Sequence, residues 1–350
     1  MAKAYNNIQS SCMNERMLYI DNLRVIACFL VLLTHSTMPV DRSYGFWSYA
    51  ISFMSSPSPD LFIAISGTVL LPVNYGFRNF YKRRFIRLLP PLIIWSILGL
   101  LLFAWLHDMP WNQILTTIVN IPFHPANGVY WFVYVLVGLY LLAPFISPWL
   151  KGASKRQVEF FLALWVVNML LPWFNFFLPA AWQSIDADGS YYWELCYFGG
   201  FLGYWILGYY LNRYPVRIGF NYKFVSLTVC CVVYPAVIFF IKYAGYEPGA
   251  LTGNLQIGSA VLVAMLFVMG QNITLNSSVQ HIVTKIAKYS YGIYLTHIYI
   301  ARELYWGIFD GTEIHIFPRT FLIASLTLLT GYILSYLMTY LPKGRYVAGI

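Results

Sequence analysis

The chain has 350 residues, 59% hydrophobic, 19% aromatic and only 10% charged, with a mean hydropathy of +0.61. Soluble domains carry about 25% charged residues, so this composition excludes a water-soluble enzyme and implies an all-α, polytopic transmembrane helical bundle. The formal charge of +9 is read as a topology signal, with the lipid bilayer as a partner and no nucleic acid implied.

Residues 1–16 are polar and lack a secretory apolar core, so they are expected to form an uncleaved cytoplasmic tail. About ten apolar stretches follow, each long enough or nearly so to cross a bilayer core of about 30 Å. They fall near 18–38, 58–74, 86–106, 129–149, 158–178, 193–212, 224–243, 255–271, 287–306 and 319–341. The second is short and is expected to extend back towards Trp47 across a break near Pro57 and Pro59. With the N-terminus inside, the inner segments hold 17 of the 22 Lys and Arg residues. That bias fits an even number of crossings with both termini cytoplasmic. Twelve Trp and 29 Tyr suit aromatic belts at both interfaces. No linker, charge block or internal repeat divides the chain, so 1–350 reads as a single domain. Of the cysteines, Cys12 is expected in the cytoplasm and Cys28, Cys196, Cys230 and Cys231 within spans, with no disulfide pair or metal spacing. Asn272-Ile-Thr274 and Asn276-Ser-Ser278 match the glycosylation pattern but fall on the expected cytoplasmic side.

The first span carries the strongest chemical signal. Arg24 and His35 are eleven residues apart, which on an α-helix returns them to nearly one face, roughly 16 Å apart. Ionisable groups inside such a span face the bundle interior and mark a functional path. Asp21 stands one turn before Arg24 and is expected to pair with it. His35 is suited to take and return a proton near neutral pH, or else is an interfacial histidine in contact with water. A protein-lined crevice shared by the guanidinium and the imidazole is expected.

Asp60 opens the second span at about the depth of His35. It either orients that imidazole, as carboxylates do in other acid–base sites, or caps the helix after Pro59. Ser66 and Gly67 permit close helix approach, and the small Ser66 also leaves room for a thin ligand arm. Arg83, Arg84 and Arg87 then precede the third span, with Lys82 beside them. Positive-inside anchoring explains part of this charge. The repeated use of Arg also suits bidentate recognition of phosphate on the cytoplasmic side.

Tyr130, Trp131 and Tyr134 open the fourth span at the outer interface, as a belt or as a platform for a sugar ring. The glycines of Gly199-Gly200-Phe-Leu-Gly203 read as a helix-packing face. His297 lies within the ninth span, as a hydrogen-bonded bundle histidine or a further site residue, with Arg302 and Glu303 beyond it.

These fragments carry a resemblance. Tyr-Ile-Asp-Asn-Leu-Arg24 followed by His35 resembles the first-helix motif of the membrane acyltransferase-3 family. Phe62 to Gly67, Arg84-x-x-Arg87, the run from Tyr130 to Pro144 and Tyr291-Gly-Ile-Tyr-Leu-Thr-His297 resemble its later segments, in family order over essentially the whole chain. The resemblance implies an integral membrane enzyme of the bacterial inner membrane. It would move an acyl group, commonly acetyl, from cytoplasmic acetyl-CoA or another acyl-CoA to a hydroxyl of an extracytoplasmic glycan or lipid-linked sugar. The chain is most similar to the short O-acetyltransferases of surface polysaccharides, without the fused extracytoplasmic domain of some members. Acyl-CoA would be a donor substrate, and no permanently bound cofactor or metal is implied. In that reading His35, Arg24 and Asp60 are catalytic, Arg83, Arg84, Arg87 and Ser66 bind the donor, and Tyr130, Trp131, Tyr134 and His297 bind the acceptor. Direct transfer and an acyl-histidine relay both remain open. A transporter or flippase using the same Arg/His path is the alternative, although no inverted repeat is visible.

Overall fold

The computed structural model describes residues 17–39, 45–179, 200–217, 232–245 and 253–350, together with Trp182, Gly219, Phe224 and Thr228. The tail 1–16 with Cys12, Arg42, Gly199, Cys196, Cys230, Cys231 and the leading parts of the sixth and seventh expected spans lie outside the described residues. Among the described residues every regular element is helical. Among the described residues, five helices are long and apolar enough to cross a membrane: Leu18–Ser36, Phe77–Leu106, Gly128–Gly152, Lys155–Phe177 and Ile316–Met338.

Helix α1 (Leu18–Ser36) stops where Met38 and Pro39 follow, and it carries Asp21 in its first turn, where a carboxylate favours the positive end of the helix dipole. Helices α2 (Phe46–Ser55) and α3 (Ser58–Leu70) meet at the expected break, with Pro57 capping α3 and Pro59 in its first turn. Proline is tolerated there because its missing N–H would have had no partner in the helix.

Helix α4 (Phe77–Leu106) begins nine residues earlier than the third expected span. Lys and Arg are good helix formers, and no breaker separates Gly76 from Pro90, so the basic run 78–87 folds as helix instead of connecting loop. At thirty residues the helix is about 45 Å long, more than a bilayer core. A short helix α5 (Trp111–Asn120) crosses the next connection, and its Ile114 buries against Leu100 and Ala104 of α4.

A 3₁₀ turn (Gly128–Tyr130) capped by Asn127 leads into α6 (Trp131–Gly152). Helix α7 (Lys155–Phe177) starts from a Ser154–Gln157 capping box. Then follow α8 (Leu202–Arg213), α9 (Tyr234–Tyr243), α10 (Ile257–Gln271) and α11 (Ser277–Tyr299). A π-helical extension (Ile300–Trp306) prolongs α11. Helices α12 (Ile316–Met338) and α13 (Gly344–Val347) complete the chain.

Helix α1 is the hub, packed by α3, α10, α11 and α12. The tightest pairing joins α3 to α8. A Cβ on Gly67 would lie 1.9 Å from the Trp205 carbonyl oxygen, and one on Gly208 would lie 1.8 Å from that of Ala64. Thr68 Oγ1 donates to the Gly208 carbonyl at 2.8 Å across the same contact. Small residues therefore set the rotation of α3, and with it the direction in which Asp60 points. Gly203 packs equally closely on the Trp165 indole, whereas Gly200 has open space around it.

Candidate active site

Three cavities follow one another through the bundle. The first, a basic vestibule of about 690 Å³, is lined by Lys82, Arg83, Arg84 and Arg87 of α4 and by Arg345 of α13. The second, of about 220 Å³, is bounded by Arg24 of α1, Ser66 of α3, Tyr140 of α6 and Tyr291 and Tyr294 of α11. Arg84 and Arg87 belong to the walls of both. The third, of about 140 Å³, holds His35, Thr34, Trp131 and Asn254. Phe132 and Tyr294 are common to the second and third, and their rings meet edge to face at 5.7 Å. These two rings form the partition between the arginine-lined cavity and the histidine-lined one.

Arg24 and His35 thus occupy successive cavities along α1 and do not share one crevice, as the sequence led one to expect. The expected local pair is present, with Arg24 Nη1 3.5 Å from Asp21 Oδ1. Asp21 is held in turn by Thr284 of α11, whose hydroxyl donates at 3.2 Å, and Asn22 accepts from Gln280 at 3.0 Å. The arginine is therefore fixed from a neighbouring helix as well as from its own. Ser66 Oγ lies in the middle cavity and accepts from Trp205 Nε1 at 3.2 Å.

The basic cluster is spread around the vestibule. Arg83 lies over the Tyr75 ring at 5.4 Å and Arg84 over Phe80 at 6.0 Å, contacts that hold a guanidinium without neutralising it. The Nε of Arg84 is buried and has no hydrogen-bond partner. Among the described residues no Asp or Glu lines the vestibule.

Around His35 the second group is another imidazole. The His35 and His297 rings lie 5.1 Å apart at 44°. His297 is fully buried, its Nδ1 bonded to the Tyr294 carbonyl, and its Nε2 has no partner. It lines none of the three cavities, so the structure places it behind His35 and not on an acceptor. Tyr291, Tyr294, His297 and His35 form a ring column that passes from the middle cavity to the third.

Three other expectations are corrected. Asp60 does not orient His35: it is fully buried, and its Oδ2 accepts from Ser259 of α10 at 2.6 Å. Tyr130 is also fully buried, its hydroxyl donating to the Leu295 carbonyl at 2.6 Å, so it is a core residue and no sugar platform. Tyr134 donates to the Ile121 carbonyl and, at 3.3 Å, to that of His124. It ties down the loop before α6 and lines no cavity described here. Of the three aromatic candidates only Trp131 faces the histidine cavity.

Sequence reasoning missed Phe132, Tyr294, Tyr140, Asn254 and Arg345. The Phe132 and Tyr294 positions stood inside quoted motifs, but nothing local marks two rings on different helices as neighbours.

A family model described as an acyltransferase domain matches residues 17–340. No curated protein and no solved structure matches the chain significantly. The matched region takes in α1 to α12 and every cavity residue named above except Arg345. The chain belongs to the acyltransferase-3 family and is a multi-pass membrane acyltransferase.

Proposed function

We propose that the protein takes an acyl group, acetyl above all, from acyl-CoA at its basic face and transfers it to a hydroxyl of a glycan or lipid-linked sugar at the opposite face. The orientation that goes with this reading is ten crossings of the bacterial inner membrane, with both termini and the vestibule cytoplasmic. One observation supports it most: the phosphate-suited vestibule and the histidine cavity lie on either side of a middle cavity that shares wall residues with each.

In this reading Arg83, Arg84 and Arg87 hold the phosphates of the donor, with Arg84 and Arg87 at the mouth of the middle cavity. The pantetheine arm runs past Arg24 and Ser66, covering a distance of roughly 16 Å to His35 by helix rise. The thioester then reaches the Phe132–Tyr294 partition. His35 takes the proton of the acceptor hydroxyl as its oxygen attacks the thioester carbonyl carbon. The carbon–sulfur bond breaks, the imidazolium returns the proton to the thiolate, and the products are the acyl ester and free CoA. General base action of this kind contributes about 10²–10⁴-fold. His297, packed at a tilt against His35 and anchored on the Tyr294 carbonyl, positions the imidazole. Trp131 offers the acceptor a ring face at the cavity mouth.

Thermal stabilisation of the purified protein tests the donor. Acetyl-CoA is expected to raise the unfolding temperature and free monosaccharides are not. Uptake of a glycan into vesicles without its acylation would favour a transporter instead.

A further inference from the structure

The vestibule has two walls. Helix α4 supplies Lys82, Arg83, Arg84 and Arg87, and the facing wall is the segment 343–350, which brings Arg345 to the same cavity. This segment lies beyond the family match, which ends at residue 340.

Its position is built, not incidental. Lys343 adopts a left-handed backbone with φ of 58° and turns the chain back after α12. Gly344 comes so close to the Met338 carbonyl oxygen that a Cβ would lie 1.7 Å from it. The Val347 carbonyl accepts from Trp95 Nε1 of α4 at 3.0 Å. Gly349 presses on the Tyr291 ring, where a Cβ would lie 2.4 Å away. The turn, the close approach and the hydrogen bond together hold α13 against α4.

Five cations therefore surround one void of about 690 Å³, and neither Asp nor Glu is among its lining residues. Like charges gathered around one cavity repel one another, and a polyanion between them reverses the sign of that energy. The volume lies within the roughly 300–1,000 Å³ common for small-molecule sites.

We propose that Arg345 is a further phosphate-binding residue, closing on the nucleotide end of acyl-CoA from the wall opposite Arg84 and Arg87. This rests on the acyl-CoA reading above. Acyl-CoA carries a pyrophosphate and a separate ribose phosphate, and two facing walls hold two such groups at once. A guanidinium matches phosphate oxygens with two parallel N–H donors.

The test compares two donors on the full-length protein in nanodiscs: acetyl-CoA, and acetyl-pantetheine, which has no phosphate. Arg345→Gln is expected to weaken acetyl-CoA binding about ten- to a hundredfold, the effect of one charge-assisted hydrogen bond, and to leave acetyl-pantetheine binding as in the wild type. Arg345→Lys should fall between. Trp95→Phe keeps the arginine but removes the anchor on Val347, and is expected to produce the same phosphate-selective loss. Unchanged acetyl-CoA affinity in Arg345→Gln overturns the proposal while wild-type binding still supports the donor. Equal loss for both donors overturns it as well. A wild-type protein that binds no acetyl-CoA overturns the donor reading, and the role of Arg345 with it.

Discussion

At the scale of single residues, His35 and Arg24 divide the work by position. Arg24 sits on the arginine side of the partition, pinned through Asp21. His35 lines the cavity beyond it and packs against the His297 imidazole. His35→Ala is accordingly expected to lower glycan acylation about 10²–10⁴-fold while donor stabilisation of the purified protein persists, because the phosphate contacts lie in a different cavity. Retention of most acylation would remove the imidazole from the chemistry. The Asp21–Arg24 pair was legible in the sequence because its geometry is local, one helical turn. The misreadings have the opposite character. An aromatic residue at a span end does not declare whether its hydroxyl points outwards or inwards. Tyr130 and Tyr134 both spend theirs on backbone carbonyls, the usual need of a buried phenol. Asp60 could not be read either, since its partner Ser259 lies 199 residues further on.

Helices decide the remaining contacts. The rotation of α3 is fixed by Gly67 and Gly208, each within a carbonyl's reach of the other helix. Gly208→Ala is expected to destabilise the protein by about 1–3 kcal/mol, the ordinary cost of overpacking, and to lower its unfolding temperature in detergent. An unchanged unfolding temperature would show that the two helices separate easily. Of the two, Gly67 was legible as a packing residue, since small residues at membrane helix contacts have that meaning; nothing in the sequence pointed to Gly208.

Between α6 and α11, Phe132 and Tyr294 stand between the arginine-lined cavity and the histidine cavity. Tyr294 is held from both sides, its hydroxyl on the Val129 carbonyl and its own carbonyl on His297, whereas Phe132 is held by ring packing alone. Phe132→Ala is expected to raise acceptor-independent hydrolysis of acetyl-CoA several-fold, as water reaches the thioester. Hydrolysis no faster than in the wild type would mean that these rings exclude no water. This partition had no sequence signature. Each ring belongs to an unremarkable aromatic run, and only the docking of α11 on α6 makes them neighbours.

For the whole molecule, the all-helical membrane character followed from composition and long apolar stretches, and the acyltransferase family from the resemblance of motifs in chain order. The boundaries followed less well: α4 extends back through the basic run, and α13 returns to wall the vestibule. Charge bias treats Arg345 as one more anchoring residue, because it records on which side a cation sits and not what it faces. In the proposed reaction, acyl donor and acceptor react from opposite sides of one protein. Inside-out membrane vesicles supplied externally with radiolabelled acetyl-CoA measure this directly, through the label recovered on glycans enclosed in the lumen. The account predicts label on lumenal glycans with the wild type and its loss with His35→Ala. Label confined to the outer face, or lumenal label that persists in His35→Ala, would contradict it.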